Sequence, residues 1–213
     1  MKSFELSLAV RNLTNDSDQR KRTILRPTRP RMSDDAERLY ERLLILRCQT
    51  GDRLAYGELV ERYGPRLRYF LRKLVPRGDR ADDLLQETWI DIFRQLPRLQ
   101  DAGAFASWAY RIARGKVTLE LRRNGRAPRT SHEVEQLVAT DEEPEFSAED
   151  AARVHAALDH LNLEHREALM LRFLEGLSYD EIGRVVGCPP GTVRSRIHYA
   201  KRALERLLGD DKS

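Results

Sequence analysis

The stretch Ser178-Tyr-Asp-Glu-Ile-Gly-Arg-Val-Val-Gly-Cys-Pro-Pro-Gly-Thr-Val-Arg-Ser-Arg-Ile197 decides the architecture of the C-terminal part of this chain. It reads as two short helices around a tight turn. Ser178 and Glu181 stand at capping-box spacing, which starts a helix by satisfying two otherwise orphaned backbone N–H groups. Tyr179, Ile182, Val185 and Val186 then give that helix one apolar side. Cys188-Pro189-Pro190-Gly191 cannot extend it, because proline lacks the N–H and pushes the preceding residue out of the α region. Thr192 is placed to cap a second helix, in which Val193, Ile197, Ala200, Leu204 and Leu207 recur at helical period. Arg194, His198, Lys201 and Arg202 face elsewhere. The pair is a helix-turn-helix whose second helix suits the DNA major groove. An antiparallel helix pair with a solvated basic face fits the same residues, so the rest of the chain has to discriminate.

The 213 residues carry a net charge of only +4, but that charge is segregated. Residues 192–208 hold Arg194, Arg196, Lys201, Arg202 and Arg206 against the single Glu205. Residues 105–126 hold Arg111, Arg114, Lys116, Arg122, Arg123 and Arg126 against Glu120. Between them, residues 127–150 set eight acidic groups against Arg129. Two basic surfaces separated by an acidic connector suit a protein that grips a polyanion in two places.

Upstream the periodicity is helical throughout, and nothing alternates at period two. Ser33 starts a helix through Leu39, Leu43, Leu44 and Leu46, and Thr50-Gly51 breaks it. Asp52 caps a second helix to about Val75, with a kink or short break expected at Gly64-Pro65. Pro76 to Asp79 reads as a turn. A third helix over about 80–95 buries Leu85, Trp89, Ile92 and Leu96 and carries an acidic stripe of Asp83, Glu87 and Asp91 at i, i+4 spacing. A fourth, from about 104 to 123, has Phe105, Trp108, Ile112 and Leu119 as its apolar stripe, with Arg111, Arg114 and Arg122 along another line. Asn124-Gly125 ends it.

The fold class is therefore all-α: two small helical domains joined by a flexible acidic linker, the second containing the helix-turn-helix. The first domain spans residues 33–125, the linker 126–147 and the second domain 148–213, where Ser147 starts a helix and Leu158, Leu161 and Leu163 pack toward Leu169, Leu171, Phe173 and Leu174. Residues 1–32 read as a disordered basic extension with few apolar residues. Met32, directly before the Ser33 helix start, is an alternative initiator to Met1.

Catalysis has little support. There is no phosphate loop, dinucleotide fingerprint, HExxH or nucleophile elbow. His155, His160 and His165 recur every five residues, which does not set two ligands on one helical face, and Cys48 and Cys188 make neither a disulfide framework nor a zinc site. No catalytic residue, metal site or cofactor is expected. No apolar run reaches membrane-span length and the N-terminus lacks a signal-peptide core, so the expected location is cytoplasmic, without membrane insertion.

Three stretches together resemble the extracytoplasmic-function (ECF) sigma factors, the minimal two-domain specificity subunits of bacterial RNA polymerase. Asp82-Asp-Leu-Leu-Gln-Glu-Thr-Trp89 resembles the helix that docks on the β′ clamp coiled coil. Phe105-Ala-Ser-Trp-Ala-Tyr-Arg-Ile-Ala-Arg114 resembles the helix that melts and reads the minus-ten element. Leu174 through Ile182 with Gly191 through Ile197 resembles the reader of the minus-thirty-five element. The resemblance covers roughly residues 35–208.

The resemblance implies core-polymerase binding, to the β′ and β subunits, by Asp83, Gln86, Glu87, Ile90 and Asp91. It implies minus-ten contacts from Arg98, Gln100, Ser107, Arg111, Arg114 and Arg122, cations tracking phosphates while melted bases are held, with Phe105 and Trp108 read as core before base-stacking groups. It implies minus-thirty-five contacts from Thr192, Arg194, Ser195, His198, Lys201 and Arg202, the N-terminal residues reaching base edges and Lys201 and Arg202 reaching phosphates. The expected partners are core RNA polymerase, double-stranded promoter DNA, its melted single strand and an anti-sigma factor. Gly115 stands where the family often has Asn, and the family also tends to have an Asp near Leu119, which this chain lacks. A stand-alone helix-turn-helix repressor or activator is the alternative, but it has no need of the first two matched stretches.

Overall fold

The computed structural model describes residues 33–75, 80–125 and 156–209, and all regular structure in them is helical. The basic extension, the Pro76–Asp79 turn, the acidic linker and its Ser147 helix start lie outside the described residues. The described chain divides into two compact units, one drawn from residues 33–69 and 80–116, the other from 70–75, 117–125 and 156–209.

In the first unit, α1 (Asp34–Gln49) starts at Ser33, whose hydroxyl accepts from the Ala36 N–H. Leu44, Ile45 and Cys48 form its buried face, and Leu39, Leu43 and Leu46 turn to solvent. Asp52 caps α2 (Arg53–Leu74) by accepting from the N–H groups of Leu54 (2.9 Å) and Ala55 (3.2 Å). That helix continues through Pro65, against the expected break. Glu61 and Pro65 are both exposed, so the bond that proline forfeits falls on the solvent side, where water can serve the freed carbonyl.

Ala55, Leu59, Tyr63 and Leu67 of α2 are buried with Leu85, Trp89, Ile92 and Leu96 of α3 (Ala81–Gln95) and the turn after it. Tyr56 meets Phe93 edge-on, and Phe93 stacks on Trp89. Arg68 reaches both carboxylate oxygens of Asp82, at 2.6 and 2.8 Å, which ties the start of α3 to α2. The Gln49 amide donates to the carbonyls of Leu96 (3.0 Å) and Leu99 (2.7 Å) and pins the short 3₁₀ turn Leu96–Arg98 beside α1. A second 3₁₀ turn, Ala102–Ala104, leads into α4 (Phe105–Arg123), anchored by Phe105 edge-on to Tyr63 at 4.9 Å.

The α4 stripe differs from the expected one. Phe105 is buried, but the core positions that follow are Ala109, Tyr110, Ala113, Val117 and Leu121. Leu119 is 47% exposed, and Trp108 and Ile112 are partly open. Counting large apolar residues misplaces the seam, because alanines at 109 and 113 supply the buried face with the least bulk.

In the second unit, residues 156–160 are helical and Asn162 caps α5 (Leu163–Leu169) through the His165 N–H at 2.8 Å. The helix widens into a π turn, Met170–Leu174. Helix α6 (Tyr179–Val186) has the expected capping box, and Gly187 ends it in the left-handed region at φ 73°. Helix α7 (Pro190–Gly209) follows directly. Pro190 occupies its first position, where a missing N–H is harmless, so Thr192 sits within the first turn rather than capping it, its N–H donating to the Pro189 carbonyl. Gly183 holds the crossing of α6 and the turn: a β-carbon there would stand 2.8 Å from the Cys188 carbonyl oxygen. Val193, Ile197, Ala200 and Leu204 are buried as expected, whereas Leu207 is exposed.

Candidate nucleic-acid interface

On α3 the acidic stripe faces outward with cations close by. Arg80 pairs with Asp83 at 2.8 Å, and Lys116 of α4 reaches Asp91 at 2.6 Å and Glu87 at 3.7 Å. Ile90 is 37% exposed among these charges, and Gln86 lies on the same side, partly exposed. The five residues form one surface, acidic at its rim and apolar at Ile90. Lys116 shows that a cation already fits it.

On the neighbouring 3₁₀ turn, loop and helix, Arg98 and Gln100 are exposed. Arg111 and Arg122 project from α4, and Arg114 is partly exposed. Ser107 differs from expectation: it is 6% exposed, and its hydroxyl donates to the Ala104 carbonyl at 3.1 Å, so it serves the start of its own helix. Trp108 takes its place on the open side of α4, its ring tilted 5.9 Å from Phe105. A large aromatic beside exposed arginines has the makings of a base-stacking platform.

In the second unit, α7 presents Arg194, His198, Lys201 and Arg202 on one side. Arg194 lies over the Tyr179 ring at 5.5 Å and Lys201 over Phe173 at 5.1 Å. Ser195 donates to the Thr192 carbonyl at 3.0 Å, which stiffens the first turn. His198 meets Tyr199 edge-on, and Tyr199 stacks with His165, whose pKa burial lowers below its ordinary value. Arg196, a member of the basic run in sequence, points inward: it is 9% exposed and pairs with Glu164 at 2.7 Å. The exposed basic face of α7 is therefore narrower than the charge count.

Phe173 and Tyr179 belong to this face, although sequence reasoning did not place them there. Phe173 was expected in the core, but the π turn carries it outward to 39% exposure. Cation–aromatic contacts between distant positions leave no periodic signature.

Among the described residues no His, Cys, Asp or Glu cluster is placed to hold a metal, and no helix is long and apolar enough to cross a membrane. Burial pushes the Cys48 thiol up to about 12.

Comparison with known proteins matches the chain in two separate stretches. The Sigma-70 region 2 family matches residues 59–127 and the Sigma-70, region 4 family residues 151–204. ECF RNA polymerase sigma-E factor of Escherichia coli (strain K12) is 36% identical over 186 residues, covering 81% of this chain and 96% of that one. The Haemophilus influenzae protein of the same name is 34% identical over 189 residues, covering 81% and 97%. Among solved structures, CnrH in complex with the cytosolic domain of CnrY superposes with a TM-score of 0.57 at 27% identity, over 81% of this chain and 99% of that one. The sigma factor RpoE bound to the anti-sigma factor NepR from Bartonella quintana gives 0.56 at 26%, over 74% and 98%. With both sigma regions matched in order and relatives covered almost end to end, the chain belongs to the ECF sigma factors of bacterial RNA polymerase.

Proposed function

We propose that this ECF sigma factor works as a dissociable initiation subunit with three separate contact surfaces and no catalysis of its own. Asp83, Gln86, Glu87, Ile90 and Asp91 dock on core polymerase, exchanging their internal cations for basic groups of the partner. Arg98, Gln100, Arg111, Arg114 and Arg122 track the minus-ten strand while Trp108 offers a ring to an unstacked base. Thr192, Arg194, Ser195 and His198 reach base edges of the minus-thirty-five element, and Lys201 and Arg202 its phosphates. Residues 33–125 and 148–213 are the two working domains, 126–147 their linker and 1–32 an accessory extension. The protein acts in the cytoplasm, where polymerase and promoter DNA are.

The observation that carries this reading is the pairing, in one chain, of an outward acidic helix with a capped helix-turn-helix whose reading face is basic. A stand-alone repressor needs only the second. Two of the similar solved structures hold a partner, CnrY or NepR, and an anti-sigma factor is proposed here as well. Run-off transcription with core polymerase on a promoter library tests the reading. Selective transcripts that require both the protein and core enzyme support it. DNA binding without any effect on initiation would favour the stand-alone regulator.

A further inference from the structure

We propose that Tyr179 and Phe173 are positioning residues for promoter reading, their rings holding Arg194 and Lys201 in place before DNA arrives. The inference rests on the reading of Arg194 and Lys201 as DNA contacts and adds how they are aimed.

The chain goes to some length to set these rings on the surface. An α-helical continuation of α5 would rotate each residue by the usual step, but the π turn Met170–Leu174 accommodates an extra residue. Leu171 stays fully buried while Phe173 and Leu174 swing outward. The Leu177 N–H closes back on the Leu171 carbonyl at 3.1 Å, so this register is fastened. The Ser178–Glu181 capping box then fixes the start of α6, and Tyr179 is its first residue.

Onto the Tyr179 ring come two guanidinium groups, Arg172 at 5.3 Å and Arg194 at 5.5 Å. Arg172 is itself fixed, donating to the Leu177 carbonyl at 3.3 Å. Phe173 holds the Lys201 ammonium at 5.1 Å. The Arg194 and Lys201 contacts link α7 to two different preceding segments, α6 and the π turn. A cation is drawn to the face of an aromatic ring without losing its hydrogen-bond donors. Arg194 and Lys201 thus remain able to bond to bases or phosphates, with less side-chain freedom left to lose on binding.

The test is run-off transcription by the full chain with core polymerase on a library varied at the minus-thirty-five element, beside salt-dependent DNA binding and thermal melts. Tyr179→Leu should lower discrimination at the bases read by Arg194 about twofold to fivefold, and Tyr179→Gln, a second ringless variant, should match it. Tyr179→Phe should read like the native protein, because the ring and not the hydroxyl is used. In an Arg194→Ala background Tyr179→Leu should cost nothing further. Phe173→Leu should weaken all sequences alike. Native discrimination in both ringless variants, a Tyr179→Phe defect equal to theirs, or full additivity with Arg194→Ala would overturn the proposal. If Arg194→Ala itself leaves base preference unchanged, the reading of Arg194 falls and the proposal with it; if it relaxes preference while Tyr179→Leu does not, only the positioning role falls.

Discussion

Arg196, inside the basic run of residues 192–208, forms a 2.7 Å ion pair with Glu164, the two side chains being only 10% and 20% exposed. Arg194, two residues earlier, points the opposite way. Neighbouring arginines of one helix thus have separate tasks: one fastens α7 to α5, the other faces outward.

That separation predicts opposite phenotypes. Arg196→Ala leaves Glu164 facing a largely buried, unpaired position and should cost about 1–3 kcal/mol of stability. Arg194→Ala should change stability by under about 0.5 kcal/mol and instead relax base choice in the minus-thirty-five element. Urea melts beside promoter selection distinguish the two; a melt unchanged by Arg196→Ala would mean that the pair adds nothing.

Reversing the docking face is the second test. Asp83→Lys with Glu87→Lys removes acceptors from Arg80 and Lys116 at an exposed surface, where the folding cost should stay small. Competition for core polymerase should weaken by about tenfold or more, since like charges would now face the basic partner. Unchanged competition with intact helicity would move the docking face elsewhere.

Two glycines should respond with opposite sign to the same substitution. Gly115 lies inside α4 with open space where a β-carbon would stand, so Gly115→Ala should raise stability by about 0.5–1 kcal/mol through helix propensity. Gly183→Ala would press a methyl group 2.8 Å from the Cys188 carbonyl oxygen and should cost about 1–3 kcal/mol. Thermal melts of both variants decide it.

His165 gives a pH dependence. Burial lowers its pKa below the ordinary value of 6.5, with Arg196 adding to the shift and Glu164 opposing it. The unfolded chain therefore takes up the proton first. Stability from this group is present above about pH 6.5 and is lost as the pH falls through the depressed folded value. His165→Gln should flatten that part of the stability–pH curve measured by urea titration; an identical curve would assign the slope to other groups.

Much of the fold could be read from the chain because local chemistry decides it. Ser33, Asp52 and the Ser178–Glu181 box cap helices through contacts within three residues, and Leu85, Trp89, Ile92 and Leu96 bury where their spacing puts them. The α4 seam was not legible in the same way. Period alone cannot tell whether Trp108 and Leu119 or Ala109 and Ala113 face the core, since that depends on how closely the neighbouring helices approach.

The sequence by itself determined the capped helices, their order, the segregation of charge and the membership of the family, all carried by neighbours along the chain. Only the tertiary structure decided which charges face outward to act. Arg196 turns in because Glu164 waits there, Lys116 covers part of the acidic stripe, Ser107 bonds within its own helix start, and the π turn brings Phe173 out beneath Lys201. Most of these depend on groups distant in sequence or on one extra residue in a turn, and side-chain period records neither.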